Sequence, residues 1–445
     1  MSKFLFLATL SVAIAGASFL YGIQSAIGRN SAYTAVRAIK EDVELVLKTV
    51  FKGADADFRV QVGVSSDDPV QVPYGDDALV FLAGFFGAGP EMRLVERDGT
   101  VVRSWQVNQE ELFADTTYFN DPEQFQKNEG FDIHGSLVNP DGSVVFSFEY
   151  GGMTKLAACG ETIWTLHTAT HHSVERAAEG GYWVPGRRFY RDNVREAFPP
   201  FTERARGEGF REDMILRVSE DGEILEEVSA VDILYDSGLE AVLTATGEKF
   251  SYDVEIWDQE LVHTNKIGEL DAQTAAAFPQ FEAGDLVMSY RTYNLILVVD
   301  PDTWQVKWHQ VGPWLRQHDP EFAKDGRIVI FNNNGYATMA RFSQAETPLR
   351  SNIIAIDPVT RATEVLYGGE DDQRMASVFR GKVQLLEDGG LMITETGGGR
   401  AIEVDAQGTK RWEYLNVLGN GNVGQITEAL VYPRSYFEPG ALSCS

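Results

Sequence analysis

From about residue 75 onward the chain consists of short apolar runs separated by Asp-Gly-type turns. Two turn families alternate. The first comprises NPDGSVVFSF (from Asn139), AAEGGYWVPG (Ala177), FEAGDLVMSY (Phe281), AKDGRIVIFN (Ala323) and LEDGGLMITE (Leu386). The second comprises VERDGTVVRSW (Val95), LAACGETIWTL (Leu156), VSEDGEILEEV (Val218), VVDPDTWQVKW (Val298), AIDPVTRATEV (Ala355) and EVDAQGTKRWE (Glu403). Each reads as strand, turn, strand. Two hairpins per period make four strands per repeat. Four-stranded repeats recurring every ~50 to 80 residues are the pattern of a β-propeller. Six copies of the second family predict six blades. A pair of β-sandwiches would leave the alternation of turn types unexplained. The expected fold class is therefore all-β, a six-bladed β-propeller over residues 56–445. NKIGELDAQTAAAFPQFEAG (Asn265–Gly284) is an insertion in the fourth repeat. RRFYRDNVREAFPPFTERARGEG (Arg187–Gly209) is a charged, aromatic insertion whose composition suits a lid.

The N-terminal pattern differs. FLFLATLSVAIAGASFLYGI (Phe4–Ile23) carries no charge, with Lys3 before it and Arg29 after it. A run of this length can span a bilayer. Ala15–Ala17 resembles a signal-peptidase site, but the apolar run continues through Phe19, Leu20 and Ile23, which favours an uncleaved anchor. Residues 1–28 are expected to form a transmembrane or signal-anchor helix. Residues 29–55 are expected to form a short amphipathic helix or stalk, from the period Val36, Ile39, Val43, Val46 and Leu47. The remainder is then exported.

Charge narrows the partners. With 66 acidic and 38 basic residues the formal charge is −28. Phosphate backbones need a basic face, so no nucleic-acid partner is expected. Any anion site must be a local positive pocket in an acidic shell. The only cysteines, Cys159 and Cys444, cannot form a disulfide framework or a four-cysteine zinc site. A single bridge between them is open to an exported chain.

The turns also act as a ruler. His318, His134 and His172 each lie seven residues before the acidic residue of a first-family turn (Asp325, Asp141 and Glu179). His263 opens the corresponding segment of the fourth repeat, and Arg380 sits beside the matching position in the sixth. A shared odd offset puts these residues on one face of the innermost strands, at one mouth of the channel. The returning second strands end nearby with Glu149, Tyr150, Arg187, Arg291, the Asn332–Asn334 run and Thr394–Thr396. His171 points away from His172 on a regular strand, so either can be the inward member. Asp319 likewise points away from His318 and is not expected to orient it. His167 and His309 fall on outer strands and read as structural.

Histidines in this number could hold zinc or another transition metal. No inward carboxylate has clear ligand spacing beside them, however, and Arg291 and Arg380 would add charge where a metal already does. No metal and no soluble cofactor are expected. A cluster of His, Arg and Asn without cysteine suits a tetrahedral oxyanion such as sulfate or phosphate. The Gly-x-x-x-x-Gly-Lys-Ser/Thr phosphate loop and the Gly-x-Ser-x-Gly elbow are absent from the sequence.

At these residues the sequence resembles the bacterial arylsulfate sulfotransferases, exported six-bladed propellers that need no phosphoadenosyl phosphosulfate. HTN (His263–Asn265) is similar to the family's His-x-Asn. GDLVMSYRTYNLILVVDPDTWQVKW (Gly284–Trp308) is similar to its Gly-Asp-hydrophobic-Ser-x-Arg stretch. QHDPEFAKDGRIVIFNNNG (Gln317–Gly335) is similar to its Gln-His-Asp block, and THHSVERAAEGGYWVPG supplies an upstream histidine. The resemblance implies that His318 is a nucleophile forming a sulfohistidine. It implies that His263, Arg291 and one of His171 or His172 hold the sulfuryl oxygens and handle the phenol proton, with Asn265 an auxiliary donor. The register alone adds His134, Asn333 and Arg380 as substrate-binding candidates. The expected partners are a small-molecule aryl sulfate and a phenol, plus the membrane through the N-terminal helix. The expected location is the bacterial inner membrane, with the propeller in the periplasm or extracellular space. Two other readings compete: a non-catalytic propeller that binds a ligand or partner protein at the membrane surface, and a hydrolase or lyase with a histidine-bound metal.

Overall fold

The computed structural model describes residue 21 and residues 59–61, 68–87, 89–113, 132–190, 210–243, 262–335, 350–377, 379–419 and 421–443. Residues 1–57 and 58–445 form two compact units. The expected anchor and amphipathic helix lie outside the described residues except for Tyr21, which is helical and exposed. Among the described residues no helix is long and apolar enough to cross a membrane. Much of the expected lid insertion, 191–209, also lies outside them.

The second unit holds six antiparallel blades of four strands, each running from the channel outward. Blade 2 is Ile133–Val138, Val144–Phe148, Gly152–Leu156 and Thr162–Leu166. Blade 3 is Glu175–Arg176, Tyr182–Tyr190, Phe210–Val218 and Ile224–Ser229. Blade 4 is Thr264–Glu269, Leu286–Tyr290, Leu295–Val299 and Val306–Val311. Blade 5 is His318–Phe322, Ile328–Asn332, Asn352–Ile356 and Thr363–Tyr367. Blade 6 is Lys382–Leu385, Leu391–Glu395, Arg400–Val404 and Lys410–Leu415, with Val70–Val72 added on its outer edge.

Blade 1 is assembled from both ends of the chain. Leu79–Phe85, Pro90–Val95 and Val101–Gln106 take their innermost neighbour from Ile426–Tyr432. This explains why the first turn family has five members and the second six: blade 1 has no inner hairpin to close. A small sheet of Arg59–Gln61, Val417–Gly419 and Asn422–Gly424 lies outside the six blades. The long interval before blade 4 contains two short helices, Ala230–Asp236 and Glu240–Leu243.

Both turn families fold by the same local chemistry. The leading aspartate accepts a hydrogen bond from the backbone N–H two residues on, as Asp98 does from Thr100 and Asp325 from Arg327. One residue of the turn must then adopt a left-handed conformation, which glycine does without steric cost. Gly99 and Gly326 do so at φ +85° each. The DPDTW and DPVTR turns lack that glycine, and Trp304 and Arg361 take the left-handed position at +56° and +64°.

Middle strands read as unbroken apolar runs because both of their faces are covered. In Leu79–Phe85, Leu79, Phe81 and Ala83 pack toward blade 2, whereas Val80 and Leu82 pack toward blade 6. The buried hydrophobics divide in this way into six clusters, one for each pair of neighbouring blades. Removing Phe81 to alanine would cost about 3–5 kcal/mol, the usual range for a buried aromatic. The blade 1–blade 6 junction also holds Arg97, which is buried and pairs with Glu403 and with Asp76 at 2.7 Å.

The C-terminal tail crosses to blade 2. Tyr436 donates to the Val138 carbonyl at 2.8 Å, and the Glu438 N–H donates to Pro140 O at 2.9 Å. Cys159, on blade 2, is disulfide-bonded, and Cys444 is the chain's only other cysteine.

Candidate functional site

Propeller inner strands deliver side chains to the channel, and here they deliver rings. His134 lies on the inner strand of blade 2, His172 and His263 just ahead of those of blades 3 and 4, and His318 at the head of that of blade 5. All four are 4–6% exposed. Ring centroids of His172 lie 3.9 Å from His134, 4.7 Å from His263 and 6.0 Å from His318. The structure thus brings together the four histidines that the turn ruler singled out.

The backbone reaches this arrangement by departing from regular strand geometry. Register shifts interrupt the inner strands of blades 1, 2, 4 and 5 at this level. Such bulges re-aim side chains beside functional sites. His172, His263 and Arg380 adopt φ of +60°, +53° and +60°. Left-handed non-glycine residues cost of order 1–3 kcal/mol each and concentrate at ligand sites.

The strain at His172 corrects the expectation for the tandem pair. Regular alternation would send His171 and His172 to opposite faces, but the left-handed turn breaks it. His171 Nδ1 lies 2.7 Å from His172 Nδ1, so both belong to the cluster. His171 is fully buried, with Nε2 3.2 Å from the Gly186 carbonyl and 3.6 Å from Asp213 Oδ1.

Tautomers follow from the partners. Nδ1 of His318 faces two acceptors, Asn333 Oδ1 at 2.7 Å and Arg316 O at 3.1 Å, so it carries the proton. Asn333 is itself fixed, because its amide nitrogen donates to the carbonyls of Ser377 and Arg380. The lone pair of His318 is therefore on Nε2, where among the described residues it accepts the Arg380 backbone N–H at 3.2 Å. Burial, with Arg291 nearby, pushes the His318 pKa down to about 3, so the ring is neutral at physiological pH. Burial likewise pushes His134, His171 and His172 well below their ordinary range.

Arg291 supplies the positive charge. It follows the second strand of blade 4, is half-buried and donates to His263 Nδ1 at 3.3 Å. Among the described residues no carboxylate lies within ion-pair distance of it. Desolvation lowers its pKa to about 10. A neutral histidine cluster beside an uncompensated guanidinium is a place for an anion.

Two expectations need revision. Arg380 was expected to bind substrate through its side chain. Its guanidinium instead pairs with Asp132 and, at 3.0 Å, with Glu149, leaving the backbone N–H as the group that faces His318. Asn265 was expected as a donor. One of its amide protons is committed to the Gln317 carbonyl at 2.8 Å, and its orphaned buried atom is Oδ1, an acceptor.

Carboxylates also lie closer than the sequence spacing suggested. Asp132, His134 and Glu149 bring ligand atoms within 4.8 Å of one another, as do Glu175, Asp319 and Glu321. A cation already serves each group: Arg380 the first and Lys266 the second. The buried nitrogens of His134 have no hydrogen-bond partner. Asp319 does not orient His318; it accepts from the Val383 N–H at 2.7 Å and pairs with Lys266 at 3.2 Å.

Other expected neighbours are placed as follows. Tyr150 lies under the Arg187 guanidinium, 3.5 Å from its ring centroid, and 4.9 Å from the His171 ring. Thr394–Thr396 are buried, with no hydrogen bond to the histidines. His309 sits on an outer strand, and the ring of His167 packs 5.9 Å from Phe113. Sequence reasoning missed Asp213, which comes from the third strand of blade 3 rather than from a channel strand.

Two cavities among the described residues bear on the site. One, lined by His134, His172, Asn265, His318 and Arg380, measures about 10 Å³, room for one water. The other, about 630 Å³, opens at the first-family turns and is floored by Lys266, Glu175, Asp319, Glu321, Lys382 and Glu428. The larger space is not the better site, because its charges satisfy one another.

A family model described as arylsulfotransferase (ASST) matches residues 103–417. No curated protein matches the sequence significantly. Similar solved structures include a protein of unknown function from Bacteroides caccae, 10% identical, covering 80% of this chain and 99% of that one with a TM-score of 0.47. A streptogramin B lyase is 11% identical, covering 81% and 87% with a TM-score of 0.39. TolB from Acinetobacter baumannii is 10% identical, covering 81% and 68% with a TM-score of 0.40. At these TM-scores none of them bears on what the chain does.

Proposed function

Because the chain belongs to the arylsulfotransferase family, we propose that it moves a sulfuryl group from an aryl sulfate to a phenol through a sulfohistidine on His318. The observation that carries this reading is a neutral, oriented His318 with Arg291 nearby, a cation that has no carboxylate within ion-pair distance among the described residues.

In the first half-reaction the His318 Nε2 lone pair attacks sulfur. The S–O bond to the aryl group breaks, and the phenolate departs with a proton. Asn333 Oδ1 holds the Nδ1–H as charge builds on the ring. In the second half-reaction the acceptor phenol oxygen attacks sulfur, the N–S bond returns its electrons to Nε2, and the phenol proton leaves. Sulfuryl transfer resembles phosphoryl transfer in spreading charge over the equatorial and leaving oxygens. Arg291 donates to that charge, the Arg380 N–H is released for it as the Nε2 lone pair goes to sulfur, and His263 is the proton-handling group beside Arg291. A phenol pKa of about 10 makes such help useful.

We also propose that the propeller works outside the cell membrane, held by the N-terminal apolar run. The disulfide at Cys159 supports an oxidising location.

Incubation with an aryl sulfate, with and without a phenol, tests the reading. Acceptor-dependent phenol release that is lost in His318→Asn is expected, together with one added sulfuryl mass on the His318 peptide. Absence of turnover, or equal turnover by the variant, would sink it.

A further inference from the structure

The hydrogen bonds around the tandem histidines form a single directed chain. The Gly186 carbonyl can only accept, so His171 carries its proton on Nε2. His171 Nδ1 is then an acceptor, and His172 must donate to it from Nδ1 at 2.7 Å. That leaves His172 Nε2 as an acceptor for His263 Nε2–H, at 3.1 Å. His263 Nδ1 is left as an acceptor, and Arg291, which can only donate, faces it at 3.3 Å. Both ends fix the same polarity, and each ring carries one proton. The middle ring, His172, stacks on His318.

Beyond His171 the chain meets a carboxylate. Asp213 is fully buried; its Oδ2 accepts the Thr264 N–H at 2.9 Å, and its Oδ1 has no hydrogen-bond partner. That oxygen lies 3.6 Å from His171 Nε2 and 3.8 Å from Arg187 Nε. We propose that His263, His172 and His171 form a proton relay ending on Asp213, and that Asp213 stores the phenol proton between the two half-reactions.

The step balances. In the acceptor half-reaction the phenol O–H gives its proton to His263 Nδ1. His263 passes its Nε2 proton to His172 Nε2, His172 passes its Nδ1 proton to His171 Nδ1, and His171 passes its Nε2 proton to Asp213 Oδ1. Each ring exchanges one tautomer for the other, and one proton has moved from phenol to carboxylate. The donor half-reaction runs in reverse and protonates the departing phenolate. No buried imidazolium accumulates, which matters because burial and neighbouring arginines disfavour it in His171 and His172. Arg187, Arg291, Glu212, His171, Tyr150 and Tyr290 act on Asp213. Burial outweighs the arginines and raises its pKa to about 6, where it can both take and return a proton.

This inference rests on the sulfotransferase reading. The two half-reactions, measured separately in single turnovers with phenyl sulfate and then phenol, should show opposite pH dependence. The donor half slows as Asp213 deprotonates, and the acceptor half slows as it protonates. Asp213→Asn and His171→Gln should remove both limbs. Their losses should be about 10²-fold larger with phenyl sulfate than with 4-nitrophenyl sulfate, whose phenolate leaves without a proton. A merely structural role would lower both donors equally and keep the wild-type profile, and either result overturns the relay. Should the variants fail to fold, ¹⁵N imidazole shifts of the wild-type protein decide. With Asp213 ionised, well above pH 6, the relay requires His171 Nε2–H, His172 Nδ1–H and His263 Nε2–H, and any other pattern there overturns it. Failure of wild type to sulfate His318 would instead remove the parent reading, and the relay with it.

Discussion

The two ends of the channel hold similar amounts of buried polarity and spend it differently. At the turn end, Lys266 is 2% exposed and pairs with Glu175 at 2.6 Å, Asp319 at 3.2 Å and Glu321. Lys382 pairs with Glu428 at 2.5 Å. At the histidine end, Arg291 has no carboxylate partner among the described residues, His134 has two idle nitrogens, and His318 offers a lone pair. A self-satisfied network closes a fold. An unsatisfied one, held by strained backbone, is completed by a ligand.

Substitutions at each end should separate these roles. The largest effect is expected for Lys266→Met, which strands three carboxylates and should cost about 3–5 kcal/mol in denaturant unfolding. A stability matching wild type would show that the turn-end network is dispensable. Arg291→Ala should lower kcat/KM by roughly 10² to 10³, about 2.7–4 kcal/mol of transition-state stabilisation. Its unfolding midpoint should stay level or rise, because an uncompensated charge has gone. A fall in midpoint with full activity would erase the contrast.

The two ends should also respond oppositely to pH. Burial raises Glu321 to about 8 and Glu428 to about 7, so the folded state holds protons the unfolded state has lost. Their contribution is present below the ordinary carboxylate range and is lost as pH rises through 7 to 8. His318, lowered to about 3, and the lowered His134, His171 and His172 bind fewer protons folded than unfolded. Their contribution is present above the ordinary histidine range and is lost as pH falls below it. In melting profiles Glu321→Gln should flatten the alkaline limb, and His134→Gln the acid limb. Unchanged limbs would contradict the assignment. The smallest effect is expected for Asn333→Ala, which removes one hydrogen bond from His318 and should slow single-turnover sulfation about five- to tenfold. An unaltered rate would mean that the Arg316 carbonyl suffices to orient the ring.

Much of this was legible in the sequence because propellers repeat their punctuation. The Asp-Gly turns counted the blades and located His134, His172 and His318 on a common rim. The source of blade 1's inner strand was hidden: Ile426–Tyr432 has no hairpin of its own to announce it. Pairwise geometry was hidden too. Strand alternation separates His171 from His172, and only the left-handed φ at His172 reunites them. Arg380 read as a loose cation because the partners that neutralise it, Asp132 and Glu149, arrive from another blade. Asp213 carried no signal, since nothing in a sequence tells a third-strand aspartate that its neighbour across the sheet is Arg187 and its neighbour above is His171.

The assembly of blade 1 from both ends sets an order of events in the life of the chain. Leu79–Phe85 is synthesised long before Ile426–Tyr432. Until the final strand arrives, blade 1 presents an open edge to the channel, and such edges recruit other strands. Pairing the two segments means closing a loop nearly as long as the propeller itself, a slow, non-local step. A chain cut short before Ile426 would thus yield five complete blades and a sixth with an exposed inner edge.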